Sequence, residues 1–368
     1  MRVGYHAPPP GSHSGVADYA EALRIGLSRL ESVKPGPAAA DVHLYHLGNN
    51  RLHADIYRRA LGAPGVVVLH DAVLQHFFLG TLSRDEYLAE WVYNHGEWSR
   101  KLGEELWHER GRASVDPRYF RYPMLRRVVE RSRRIIVHNS GAAAIVSDQG
   151  ARNVDVIPHF CEPDEDSFTI EAAQLRDRLG IGQGVTLFGI FGYLREPKRV
   201  VQCIQAFTRL HTLGRRTALL IAGECGSSDL ARLLETEGRH SAIKRVGHLS
   251  ERELKIAGAA VDCCLNLRYP GAGETSGIAI RLMGQGKPVI LTDSAENADF
   301  PPAAALRVTP GIAEADELFE HMLLVTEYPG IARDIGREAR NHIRRRHGLD
   351  TVAKKYWEVL CATVSSQS

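Results

Sequence analysis

RYPGAGETSGIAIRLMGQGKPVI, residues 268–290, holds a strand exit, a glycine loop, a helix and a second strand in succession. The mostly apolar run Val261 to Leu267 before it reads as a buried strand. Pro270, Gly271 and Gly273 form the loop, and a helix is expected over 275–284 with Ile278, Ile280, Leu282 and Met283 turned inward. Gly286 and Pro288 stop that helix, and Val289 and Ile290 open the next strand. This order aims backbone N–H groups and the positive end of a helix at an anion such as a phosphate, with Gly273, Thr275, Ser276 and Gly277 at the approach. Thr275 or Ser276 can instead cap the helix. Glu274 places a carboxylate at the carboxyl end of a strand, where open α/β sheets bind ligands.

The same alternation runs outward in both directions. Upstream, Val185 to Phe191 reads as a strand that leaves through GYLREPKR, residues 192–199, into a helix over 200–213. Gly192 marks the turn and Pro197 preorganises the first helical turn. Lys198 is a cation at a helix start, where the dipole opposes it, so a bound anion is favoured there. Arg195 or Arg199 can supply a second charge. Strands follow at 218–222 and 243–246, the latter running into Gly247, His248 and Leu249, and Ser250 with Glu253 makes a capping box. A last strand at 305–308, helices from Ile312 and Ile331, and a final helix over 350–360 complete this half.

The first half opens with a short strand, Arg2 to Tyr5, and HAPPPGSHSGVADYAEAL, in which a helix starts near Ser14 and Gly15. Gly15 allows an anion to approach the backbone, or is plain turn geometry. Asp18 complements the helix dipole or binds a hydroxyl. Val66 to Leu69 is an unbroken apolar strand that runs into His70 and Asp71. His46, Asn49, His53, His70 and His76 gather around two strand ends, more than structural histidines alone would explain. Strands at 135–138 and 154–158 flank a helix capped by Asn139 or Ser140. Glu162 to Asp166 reads as a linker, which divides the chain into 1–163, 164–345 and a closing helix 346–368 that packs back on the first domain.

A chain of 368 residues with 44% hydrophobic and 24% charged residues suits two globular domains. The net charge of +2 gives no reason to expect a nucleic-acid partner. No apolar run approaches the roughly 20 residues of a membrane span, and the N-terminus lacks the apolar core of a signal peptide. A cytoplasmic protein with six reduced cysteines is therefore expected. Residues 83–134 read as long helices with Trp91, Trp98 and Trp107 near helical spacing, and Arg126, Arg127, Arg131, Arg133 and Arg134 with little acid to balance them. They can form a core with a solvated face, cover an acceptor site, or rest peripherally on an anionic inner-membrane face.

These motifs resemble family 4 glycosyltransferases. That family's signature is a glutamate, seven residues, a second glutamate and a small-residue run ending in Gly-x-Pro-Val. Gly284, Gly286, Pro288 and Val289 match the ending, Glu274 lies near the first glutamate, and Arg281 stands in place of the second. The opening with Ser14, Gly15, Ala17, Asp18 and Tyr19, the His70-Asp71 pair, the strand ending in Ile157-Pro158 and the Gly192, Leu194, Lys198 spacing are similar too. The resemblance implies an α/β, GT-B fold of two Rossmann-like doubly wound domains facing a central cleft. It also implies a retaining transferase that moves a sugar from a nucleotide-sugar donor to a hydroxyl of a glycan, a lipid-linked glycan or a small molecule. Metal and cofactor are not required in such enzymes. In the family, the counterparts of Lys198 and an adjacent arginine grip the donor diphosphate, and that of Glu274 contacts the sugar, as does that of His70. The loop at Gly247, His248 and Leu249 lies against the base. The substitution at Arg281 leaves two other readings open, a catalytically impaired nucleotide-sugar-binding protein and a nucleotide-sugar epimerase on the same fold.

Overall fold

The computed structural model of the protein describes residues 1–12, 14–30, 40–162 and 168–365, with the backbone alone at 34–35. All but the first residue of the expected linker, 162–166, lies outside these residues. The chain divides into two compact units, one of Met1–Phe160, Pro270–Thr275 and Leu349–Ser368, the other of Cys161–Tyr269 and Ser276–Gly348.

The first unit contains strands β1 (Arg2–His6), β2 (Lys34–Pro35), β3 (Val42–Leu47), β4 (Val66–Leu69), β5 (Arg134–Val137) and β6 (Val154–Val156). They form one parallel sheet in the order β2-β1-β3-β4-β5-β6. Its helices are α1 (Gly15–Ser28), α2 (Ala54–Gly62), α3 (Gln75–Thr81), α4 (Arg84–His95), α5 (Arg100–His108), α6 (Arg126–Arg131) and α7 (Ser140–Asp148). Helices cover both faces of a parallel sheet, which is why β4 is apolar at every position.

The span 83–134 does not form long helices: α4 to α6 are 12, 9 and 6 residues long and joined by 3-10 turns. Three of the five arginines of the basic run also find acids. Arg126 pairs with Glu130 at 2.8 Å, Arg127 with Glu90 at 2.5 Å and Arg134 with Asp155 at 2.9 Å. The tryptophans divide, since Trp91 is fully buried in the core while Trp98 is 87% exposed. Among the described residues, no helix is long and apolar enough to cross a membrane.

The second unit holds α8 (Thr169–Arg178), β7 (Thr186–Phe191), α9 (Val200–Thr212), β8 (Thr217–Ala222), α10 (Ser228–Glu237), β9 (Ile243–Val246) and α11 (Glu251–Ala260). It continues with β10 (Cys263–Asn266), α12 (Gly277–Gly284), β11 (Val289–Thr292), β12 (Leu306–Val308), α13 (Glu314–Glu327) and α14 (Pro329–Arg346). The strand order β12-β11-β10-β7-β8-β9 is the Rossmann order, with the chain reversing direction across the sheet between β7 and β10. The Ser250–Glu253 capping box forms as expected. The last helix, α15 (Leu349–Ser365), belongs to the first unit, where Leu349, Val352, Ala353, Tyr356 and Leu360 share a core with Leu23 and Leu27 of α1.

Candidate functional site

In the first unit, histidines stand at the carboxyl ends of successive strands. His46 lies on β3, His70 follows β4, His138 follows β5 and His159 lies beyond β6. His46 Nδ1 is 3.0 Å from His70 Nε2, and His70 Nδ1 is 3.3 Å from His138 Nε2. One contact fixes every proton in this chain. His138 Nδ1 is 2.9 Å from the Ile157 carbonyl, which can only accept, so this nitrogen carries the hydrogen. His138 Nε2 therefore accepts from His70 Nδ1, and His70 Nε2 accepts from His46 Nδ1.

Burial lowers the pKa of His46 to about 3, helped by His138 and His53, and that of His138 to about 4. His70 is pushed well down by the same cause and by its histidine neighbours. Tyr19 of α1 packs its ring against His46, His70, His138 and His159 at centroid distances of 4.7 to 6.1 Å. In this geometry both ring nitrogens of His70 are engaged within the protein.

Asn49 likewise turns inward, its Oδ1 accepting from Phe77 N and its Nδ2 meeting His76 Nδ1. Asp71 accepts from the Asn49 backbone at 2.8 Å. Gly15 begins α1 outside the left-handed region, and a Cβ added there would meet nothing within 4 Å. Turn geometry thus does not require glycine at 15, and the backbone is open to close approach. Asp18 is exposed on the same first turn.

Residues 270–275 dock onto this unit. Ala72 N donates to Ala272 O at 2.7 Å, and Asn139 Nδ2 donates to Gly273 O and to Thr275 Oγ1 at 3.0 and 2.9 Å. Gly273 has φ +81°, and a Cβ on it would fall 2.6 Å from Ala72 Cβ, so glycine is required twice over. Glu274 Oε2 accepts from Ala272 N at 2.6 Å, which shapes the loop around the carboxylate. The helix starts at Gly277 rather than Thr275: Ser276 caps it through Ala279 N, and Thr275 is held by Asn139 instead.

In the second unit, cations collect where the sheet order reverses. Gly192 follows β7 with φ +86°, and a Cβ there would sit 3.1 Å from Lys198 Nζ. Lys198 ends a 3-10 turn, Glu196–Lys198, and folds back so that Nζ donates to Phe191 O at 2.6 Å. It is not the exposed lysine of a helix start. Desolvation of its ammonium, with Arg268 and Arg195 nearby, lowers its pKa to about 7. The Arg199 guanidinium, the other candidate for a second cation, is bound by Glu314 at 2.7 and 3.0 Å. Arg195 is exposed beside the turn.

Arg268, at the exit of β10, is the cation that sequence reasoning passed over. Its N–H donates to Thr292 Oγ1, and the next residue, Tyr269, donates its N–H to Pro197 O, both at 2.8 Å. The first bond ties the β10 exit to the end of β11, and the second ties it to the Lys198 turn. Strands β7 and β10 are neighbours.

No protein-family model and no curated protein sequence matches the chain. Solved structures do. The fold is that of the GT-B glycosyltransferases. Sucrose-phosphate synthase from Thermosynechococcus elongatus is similar over 100% of both chains, with TM-score 0.70 and 13% identity. Alr3699/HepE of Anabaena, in complex with UDP-glucose, is similar over 98% of this chain and 100% of its own, with TM-score 0.65 and 14% identity. WaaG, a glycosyltransferase involved in lipopolysaccharide biosynthesis, is similar over 98% of each chain, with TM-score 0.63 and 16% identity. At such identities the likeness carries the fold, and the chemistry rests on the residues of this chain.

Of the remaining expected residues, Gly247 and His248 are exposed in the loop after β9, and a Cβ on Gly247 would meet nothing within 4 Å. Leu249 packs into the core of the unit. Arg281 is exposed on α12. Arg268 could have been singled out as a cation at a strand exit, the position that made Glu274 noteworthy. Asn139 carried only a capping signal; it does cap α7, through Ala142 N at 2.7 Å, and also fastens the 270–275 loop.

Proposed function

We propose that this protein is a glycosyltransferase that moves a sugar from a nucleotide-sugar donor to an acceptor hydroxyl. The observation that carries the reading is the desolvated Lys198 ammonium beside Gly192 and Arg268, at the reversal of strand order in the second unit. Crevices at such reversals bind nucleotides. A diphosphate there supplies the negative charge that this half-buried lysine lacks, and bond cleavage to an oxocarbenium-like state places more charge on that leaving group. Lys198 and Arg268, with Arg195 at the edge, are the stabilising groups. The exposed backbone at Gly247 and His248 is assigned to the base.

In the first unit, Glu274 is assigned to donor-sugar hydroxyls, and Asp18 with the open backbone at Gly15 to the acceptor. His70 is assigned to holding the wall of that site, since both its nitrogens are taken. Retention follows from the family resemblance through front-side attack, with the leaving phosphate taking the acceptor's proton. That route needs no dedicated base and no metal. Three of the similar structures, all of HepE, contain UDP or UDP-glucose, so UDP-sugars are the first donors to test.

The deciding experiment measures binding of UDP-, GDP- and dTDP-sugars by thermal shift, since a ligand of the native state raises the melting temperature by mass action. Donor hydrolysis and transfer are then followed in the presence of EDTA. A stabilising nucleotide sugar that is turned over in EDTA is expected. No response to any of the three classes would overturn the reading, and activity restored only by Mg²⁺ or Mn²⁺ would overturn metal independence.

A further inference from the structure

Arg199 is one of two non-glycine residues with a positive φ among the described residues, at φ 56° and ψ 33°. It directly follows Lys198 and forms the N-cap of α9. A side chain in left-handed backbone is strained, and such strain persists only where the surroundings over-determine it. Three contacts do so here. Arg199 N donates to Glu196 O at 3.0 Å, Arg199 O accepts from Cys203 N at 3.0 Å, and the guanidinium makes the two-pronged pair with Glu314.

Glu314 is 4% exposed and is the first residue of α13, whose Leu318, Phe319 and Met322 share a core with Val200, Cys203 and Phe207 of α9. Burying a carboxylate is costly unless it is paired and hydrogen-bonded. A glycine at 199 would adopt the same backbone with no partner at all. The chain instead carries an arginine that needs a buried acid 115 residues away.

We propose that Glu314 is a positioning residue: by clamping Arg199 in left-handed backbone, it fixes the 196–199 turn that directs the Lys198 ammonium into the crook formed by Phe191 O and Gly192. The inference rests on the assignment of Lys198 to the donor diphosphate. It also assigns Arg199 a role other than phosphate binding, because the guanidinium faces Glu314 in a two-pronged contact. A clamp and a lysine on adjacent residues make the geometry of the cation depend on α13.

The test uses the full chain with Glu314→Gln, Arg199→Gly and the double variant. Competitive acetylation across a pH series, read on the Lys198 peptide, reports the environment of its ammonium without requiring any ligand. UDP is the binding probe, and melting curves check that each variant folds. In E314Q, the Lys198 titration should move toward the ordinary lysine range by about one unit or more, and UDP affinity should fall about tenfold. Arg199→Gly in the E314Q background should restore both, because glycine holds the turn without the clamp. A pair that only stabilises α13 would not be rescued in this way. A folded E314Q with an unchanged Lys198 profile, or a double variant no better than E314Q, would overturn the proposal. If the Lys198 profile moves and recovers as stated while UDP binds none of the proteins, the clamp stands and the nucleotide assignment falls.

Discussion

Replacing Lys198 with methionine should stabilise the free protein while abolishing its affinity for a nucleotide sugar. The lysine pKa falls from 10.5 to about 7, chiefly through desolvation. At about 1.4 kcal/mol per unit, holding the ammonium charged costs up to about 5 kcal/mol. The side chain is only half-buried, so solvent trims this to roughly half. Methionine fills a similar volume but leaves Phe191 O without its donor, at about 1–2 kcal/mol. A net gain of about 1 kcal/mol remains at pH 6, or about 2–4 °C in the melting temperature of a unit this size. The pH dependence gives the sign. The folded pKa lies below the unfolded one, so the cost is complete below pH 7 and fades as pH rises toward 10.5. Melting curves of wild type and K198M at pH 6, 8 and 10, each with and without UDP, measure both effects. K198M should melt higher at pH 6, by a margin that shrinks at pH 10, and should show no shift with UDP. A lower melting temperature at pH 6 would refute the desolvation argument, and an undiminished UDP shift would remove Lys198 from the anion site.

Gly273→Ala should destabilise the first unit by about 2–4 kcal/mol, combining left-handed strain with a 2.6 Å approach to Ala72 Cβ. Ala72→Gly in the same chain should recover the steric part, as read from urea midpoints; equal loss in single and double variants would contradict the close packing. The neutral histidines predict acid lability. His46, His53 and His138 titrate at about 3, 4 and 4 in the folded state and near 6.5 unfolded, so stability should fall as pH drops from about 6.5 toward 4, by about 1.4 kcal/mol per pH unit for each histidine. Urea midpoints unchanged between pH 7 and pH 5 would refute this. Glu274→Gln should cost at least about tenfold in kcat/KM, because it weakens an acceptor for sugar hydroxyls, whereas Arg281→Lys on exposed α12 should cost far less. Equal losses in the two variants would count against the assignment of Glu274.

The sequence by itself determined what is written in short-range periodicity. The apolar runs at 66–69 and 186–191 are strands because both faces of a parallel sheet are covered, and Ser250 with Glu253 caps a helix because the two residues lie three apart. Glycine loops after strands marked Gly192 and Gly273, both of which have positive φ. The tertiary structure decided what depends on strand order and on residues far apart in the chain. Arg199 and Arg195 are indistinguishable as sequence, and only Glu314 separates them. Arg268 joins Lys198 because β10 pairs with β7 across the reversal of the sheet. The histidines at 46, 70 and 138 become a single hydrogen-bonded chain because β3, β4 and β5 are adjacent, and the Ile157 carbonyl at its end sets every tautomer. Periodicity places a side chain on its own element, whereas sheet order chooses its neighbours, and burial among those neighbours sets its charge.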